Sequence, residues 1–129
     1  MNRVRWWLAG WTGVIVLVVC PWTSFQSHAH WQQVAWVPFL SSDDKLRDVL
    51  VNLVLYAPWG YFGMRAMRNG SHRVWTVVLL AAALSLVTEA SQLYSHGRFP
   101  SATDFTCNVL GAFAGGTRAR RKSVMKDDR

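Results

Sequence analysis

The chain has 129 residues, which leaves room for one domain. Apolar residues make up 51% of it, eight residues are Trp, and only 16% are charged, against roughly 25% in a soluble domain. A net charge of +7 would suit a nucleic-acid binder, but the basic residues flank hydrophobic blocks and no nucleic-acid motif accompanies them, so that partner class is set aside.

The blocks predict an all-α protein, a four-helix transmembrane bundle with N- and C-termini cytoplasmic. Its spans fall at about residues 6–23, 46–64, 74–92 and 104–117, within a domain covering 1–117. The first span follows Arg3 and Arg5 and has a strongly apolar core, Val14 to Val19. Ser27-His28-Ala29 offers small residues at signal-cleavage offsets, but Trp6, Trp7 and Trp11 read as an interfacial anchor, so the span is expected to be retained. An outer loop, 24–44, holds His28, His30, Trp31, Trp36, Pro38 and Phe39 and ends in Ser41-Ser42-Asp43-Asp44, a helix-start pattern. Two histidines in a loop read as solvated side chains, and no metal or cofactor is assigned to them.

In the second span, Asp48 and Asn52 interrupt the outer half, and Pro58 should kink the middle. A turn with Asn69-Gly70 leads to the third span, apolar on every face from Val74 to Val87 and charged only at Glu89. The fourth span is short, and Arg118, Arg120 and Arg121 can lengthen it by snorkelling. Gly111 and Gly115, one helical step of four apart, give it a small-residue face for close packing or for a homo-oligomer contact. Residues 118–129 read as a basic, disordered cytoplasmic tail. Cys20 and Cys107 lie in no metal or redox motif and are expected as free thiols.

Orientation follows from charge. With the N-terminus inside, eleven of the fourteen basic residues fall in inner segments, and only Lys45, Arg47 and Arg98 lie outside. Three polar sets then share the outer end of the spans: Asp48 and Asn52, Ser85 with Glu89 and Gln92, and Asp104 with Asn108. Each set lies on one helical face, within roughly 10 Å of the boundary at about 1.5 Å per residue. A carboxylate facing lipid is costly, so these faces should converge on one outward-opening polar pocket. Arg98, in the loop between two of the helices, is the expected partner of Glu89 or Asp104. The competing reading is a purely structural polar cluster that fixes helix packing.

The stretch Asp48-x-x-x-Asn52 with Tyr56-Ala57-Pro58-Trp59-Gly60 resembles the first signature of VanZ-like membrane proteins. Ser85-x-x-x-Glu89-x-x-Gln92, then Arg98, then Asp104-x-x-x-Asn108-x-x-Gly111-x-x-x-Gly115 resembles the second. The resemblance covers about residues 46–116. It implies a small multi-pass protein of the bacterial plasma membrane, in a family whose namesake is associated with resistance to the glycopeptide teicoplanin. Candidate ligand-binding residues are Asp48, Asn52, Ser85, Glu89, Gln92, Arg98, Asp104 and Asn108. Expected partners are membrane lipids, an envelope precursor or a glycopeptide. No residue is assigned a catalytic role: Ser85, Ser91 and Ser95 lack an obvious His/Asp partner set, and no H-E-x-x-H motif is present. An intramembrane enzyme acting on a lipid-linked substrate is the alternative.

Overall fold

The computed structural model describes residues 3–40, 46–67 and 72–127. Four α-helices account for most of them: α1 (Arg3–Val19), α2 (Leu46–Ala66), α3 (Arg73–Gln92) and α4 (Ala102–Asp127). One 3-10 turn, Trp31–Gln33, lies in the α1–α2 connection, and two isolated β-bridges join loops. The expected helix start at Ser41–Asp44 and the Asn69-Gly70 turn lie outside the described residues.

The helices alternate in direction, so the end of α1, the start of α2, the end of α3 and the start of α4 share one end of the bundle. α1 stops at Val19 rather than near Thr23, because Pro21 biases its predecessor away from the helical region. Its inner face buries Ile15 and Val19 and is tied to α2 by polar contacts. Trp11 Nε1 donates to the Leu55 carbonyl at 2.6 Å, and Trp59 Nε1 donates to Thr12 Oγ1 at 2.9 Å. Pro58, lacking an N–H, cannot donate to the Val54 carbonyl, and the Trp11 bond falls on the next carbonyl along, beside this break in the ladder.

α2 and α4 form the tightest pair. A Cβ placed on Gly111 would lie 2.7 Å from the Leu53 carbonyl oxygen, and one on Gly115 would collide with the Ala57 carbonyl. From the other side, a Cβ on Gly60 would strike the Ala112 backbone. The Gly111/Gly115 face, which could also have served a homo-oligomer contact, is therefore occupied within the chain. The core centres on Tyr56, Trp59, Met64, Val77, Ala81 and Ala112.

Two boundaries of α4 correct the expectation. It begins at Ala102 rather than Asp104, because Ser101 Oγ accepts the Thr103 N–H at 3.1 Å, an N-cap three residues before an acidic side chain. It also runs on to Asp127, so residues 118–127 are helical and not a disordered tail. Nothing after Gly116 breaks a helix, Ala, Arg, Lys and Met all favour one, and Ala119 is buried against the bundle.

Candidate functional site: a polar recess beside an apolar cleft

The end of the bundle where α2 and α4 start carries two adjoining cavities. The first is a polar recess of about 570 Å³. Arg47 and Asp48 from the first turn of α2, Gln92 from the last turn of α3, Arg98 from the α3–α4 loop and Asp104 from the first turn of α4 all line it. The α1–α2 loop adds Gln33 and Ala35, held in place by a bridge in which Ala35 N donates to the Pro100 carbonyl at 3.0 Å and Ala102 N to the Ala35 carbonyl at 2.9 Å. Two arginines and two aspartates face the same space, so its formal charge is balanced.

The second cavity is an apolar cleft of about 300 Å³ lined by Trp31, Trp36, Leu86, Leu93 and Phe105, with Glu89 as its acidic member. It shares Ala35, Pro100 and Ser101 with the recess. Glu89 is 6% exposed. Its Oε2 accepts the Ser101 N–H at 2.8 Å, while Oε1 is buried with no hydrogen-bond partner among the described residues. A buried carboxyl oxygen without a hydrogen-bond partner is costly.

The eight residues singled out by sequence thus divide into three groups. Asp48, Gln92, Arg98 and Asp104 meet around the recess. Asn52, Ser85 and Asn108 lie deeper and are buried. Asn108 Nδ2 donates to Ser85 Oγ at 2.9 Å, and this pair links α4 to α3 beneath the cavities as a packing contact. Glu89 turns to the apolar side.

Arg98 lies close enough to Glu89 for their charges to interact, but its hydrogen bonds go elsewhere. Arg98 Nη1 donates to the carbonyls of Val18 at 3.1 Å and Val19 at 3.4 Å, the last residues of α1. Helix ends leave carbonyls without partners and carry partial negative charge, so an arginine is well matched there. Gln92 Nε2 reaches the same Val19 carbonyl at 3.4 Å. These two side chains therefore line the recess and also pin α1 to it.

Arg47, Ser101 and Thr103 also line the recess, outside the set of residues expected there. Arg47 precedes Asp48 at the start of a helix, and Ser101 stands three residues before Asp104 in a capping pattern, so both signals were present. Thr103 is buried and accepts the Phe39 N–H at 2.8 Å. Phe39 has a φ of 59°, unusual for an aromatic residue, and this bond holds it there. No local pattern announces that contact.

A family model described as VanZ/LLP1 matches residues 7–120. No curated protein matches the chain, and no solved structure does.

Proposed function

The chain belongs to the VanZ/LLP1 family, and from that premise we propose that it is a multi-pass protein of the bacterial plasma membrane whose outward recess and cleft together hold an amphiphile. The polar head would sit in the recess among Arg47, Asp48, Arg98 and Asp104, and the apolar part in the cleft beside Glu89. The observation that carries this reading is the shared wall: one polar and one apolar cavity meet along Ala35, Pro100 and Ser101. Balanced charge favours a sugar-bearing or zwitterionic head over a naked phosphate, which wants excess positive charge. Lipid head groups, envelope precursors and glycopeptide-type antibiotics all belong to that chemical range.

Membrane residence is supported by the exterior. α3 is long and apolar enough to cross a bilayer. It turns Leu79 and Val87 outward, 69% and 67% exposed, where the core helix of a water-soluble protein would bury them. Trp6, Trp7, Leu17, Val54, Leu110 and Phe113 extend the apolar surface over the other helices. Both termini belong on the inner side by the distribution of basic residues.

The test is lipid retention. The full chain is purified in mild detergent, offered zwitterionic phosphatidylethanolamine, anionic phosphatidylglycerol or a glycosyl-diacylglycerol, and weighed intact by native mass spectrometry. Preferential one-to-one retention of the zwitterionic or sugar-bearing lipid, lost in an Asp48→Asn/Asp104→Asn variant of unchanged helical content, supports the reading. Equal retention of all three by wild type and variant overturns it.

A further inference from the structure

Three of the chain's four histidines come together at the outer end of the bundle. His28 and His30 stand in the loop after α1, and His96 stands in the loop after α3. Their ring centroids lie 4.7 Å apart for His28 and His30, 4.5 Å for His30 and His96, and 5.9 Å for His28 and His96. One nitrogen from each ring can be chosen so that all three lie within 4.8 Å of one another. From sequence, His28 and His30 are a pair in a loop; the fold adds the third member from 66 residues further on.

The two loops are joined by a frame of hydrogen bonds. Gln26 N donates to the Tyr94 carbonyl at 2.7 Å, His30 N donates to the Leu93 carbonyl at 2.8 Å, and the hydroxyls of Ser24 and Ser95 are 2.8 Å apart. The ring of His30 is fixed as well. Its Nδ1 lies 3.1 Å from the Leu93 carbonyl oxygen. A carbonyl can only accept, so Nδ1 carries a proton, and in the neutral ring Nε2 keeps a free lone pair. That Nε2 is buried and has no hydrogen-bond partner among the described residues. A ring nitrogen bonded to a backbone carbonyl, with the opposite nitrogen left as a bare donor of electrons, is the arrangement that orients metal-ligating histidines.

We propose that His28, His30 and His96 form a binding site for a divalent transition-metal ion, Zn²⁺ foremost. Three neutral imidazoles suit Zn²⁺, Cu²⁺ or Ni²⁺ and not Mg²⁺ or Ca²⁺, which take oxygen ligands. Tetrahedral Zn²⁺ with bonds of about 2.0–2.1 Å places its ligand nitrogens about 3.3 Å apart. His30 is the fixed point, and side-chain rotation of His28 and His96, both exposed, closes the remaining distance. The fourth position then faces solvent and is open to water or to an incoming ligand.

The experiment uses the full chain in detergent, purified through a tag without histidine and stripped with a chelator. Zn²⁺ is titrated against a chromophoric chelator, and Co²⁺ is followed by its visible absorption. One ion per chain and an intense tetrahedral Co²⁺ spectrum are expected. His28→Gln, His30→Gln and His96→Gln should each weaken binding at least about tenfold. His72→Gln, at the opposite end of α3, should leave it unchanged, with helical content preserved in all four. A weak octahedral Co²⁺ spectrum from the wild-type chain overturns the site without recourse to any variant. So does a triple variant that binds Zn²⁺ as the wild type does, or a loss of affinity in His72→Gln equal to the others.

Discussion

Glu89 shows how a single side chain can differ from its neighbours on the same helical face. Ser85 and Gln92 share its stripe on α3, yet Ser85 bonds to Asn108 and Gln92 reaches α1, while Glu89 accepts from the start of α4. Glu89→Gln keeps an acceptor for the Ser101 N–H and should change stability by less than about 1 kcal/mol. Glu89→Leu removes the acceptor and should cost about 1–3 kcal/mol, read from thermal unfolding in detergent. Lipid retention lost in Glu89→Gln at unchanged melting temperature would assign the carboxylate to the ligand. The Asn108–Ser85 bond makes a second residue-scale prediction. In a double-mutant cycle with alanine at both positions, the coupling should be about 0.6 kcal/mol, the usual size of an interhelical hydrogen bond in a membrane protein. A coupling near zero would mean that the contact contributes nothing to packing.

Among elements, the α2–α4 crossing and the docking of α1 respond to different physics. The crossing depends on missing side chains. Gly115→Val forces a branched side chain against the Ala57 backbone, which has no rotamer to yield, so the expected loss is roughly 3 kcal/mol or more. Gly13→Ala, with nothing within 4 Å, should instead stabilise α1 by up to about 1 kcal/mol. Thermal melts of the two variants check both signs. α1, by contrast, is held at its C-terminal end by Arg98 and Gln92 on the carbonyls of Val18 and Val19. Arg98→Ala should leave the α2–α4 pair intact and raise hydrogen exchange at residues 17–26. Unchanged exchange there would remove Arg98 from the docking of α1.

For the whole molecule, the decisive property is which surface is apolar. The bundle buries a modest core and leaves Trp, Leu and Val side chains over its outside, while basic residues such as Arg65, Arg73 and Lys122 gather at the end remote from the recess. At that end Lys122 lies over the Tyr61 ring, 5.9 Å from its centroid. A fluorescent reporter that matures only in the cytoplasm should be active when fused after Arg129. An alkaline phosphatase fused after Gln33 should be active outside. The reverse pattern would invert the proposed orientation and turn the recess to the inner face.

Hydropathy blocks and periodicity, properties of neighbouring residues, were enough to read the all-helical class and the four helical segments, while the resemblance to the family rested on the spaced signature residues from Asp48 to Gly115. They also placed the polar sets at one end, since i and i+4 positions share a face in any α-helix. The sequence could not tell which neighbour each polar group would meet. Arg98 took α1 carbonyls, Glu89 took a backbone N–H beside an apolar cleft, and His96 joined His28 and His30 because a frame of backbone bonds ties two distant loops together. The same holds for the end of α4, where continued helix propensity and the burial of Ala119 override a polar composition. Local pattern fixes the direction in which a side chain leaves its helix; only the packing of segments far apart in the chain decides what stands in its path.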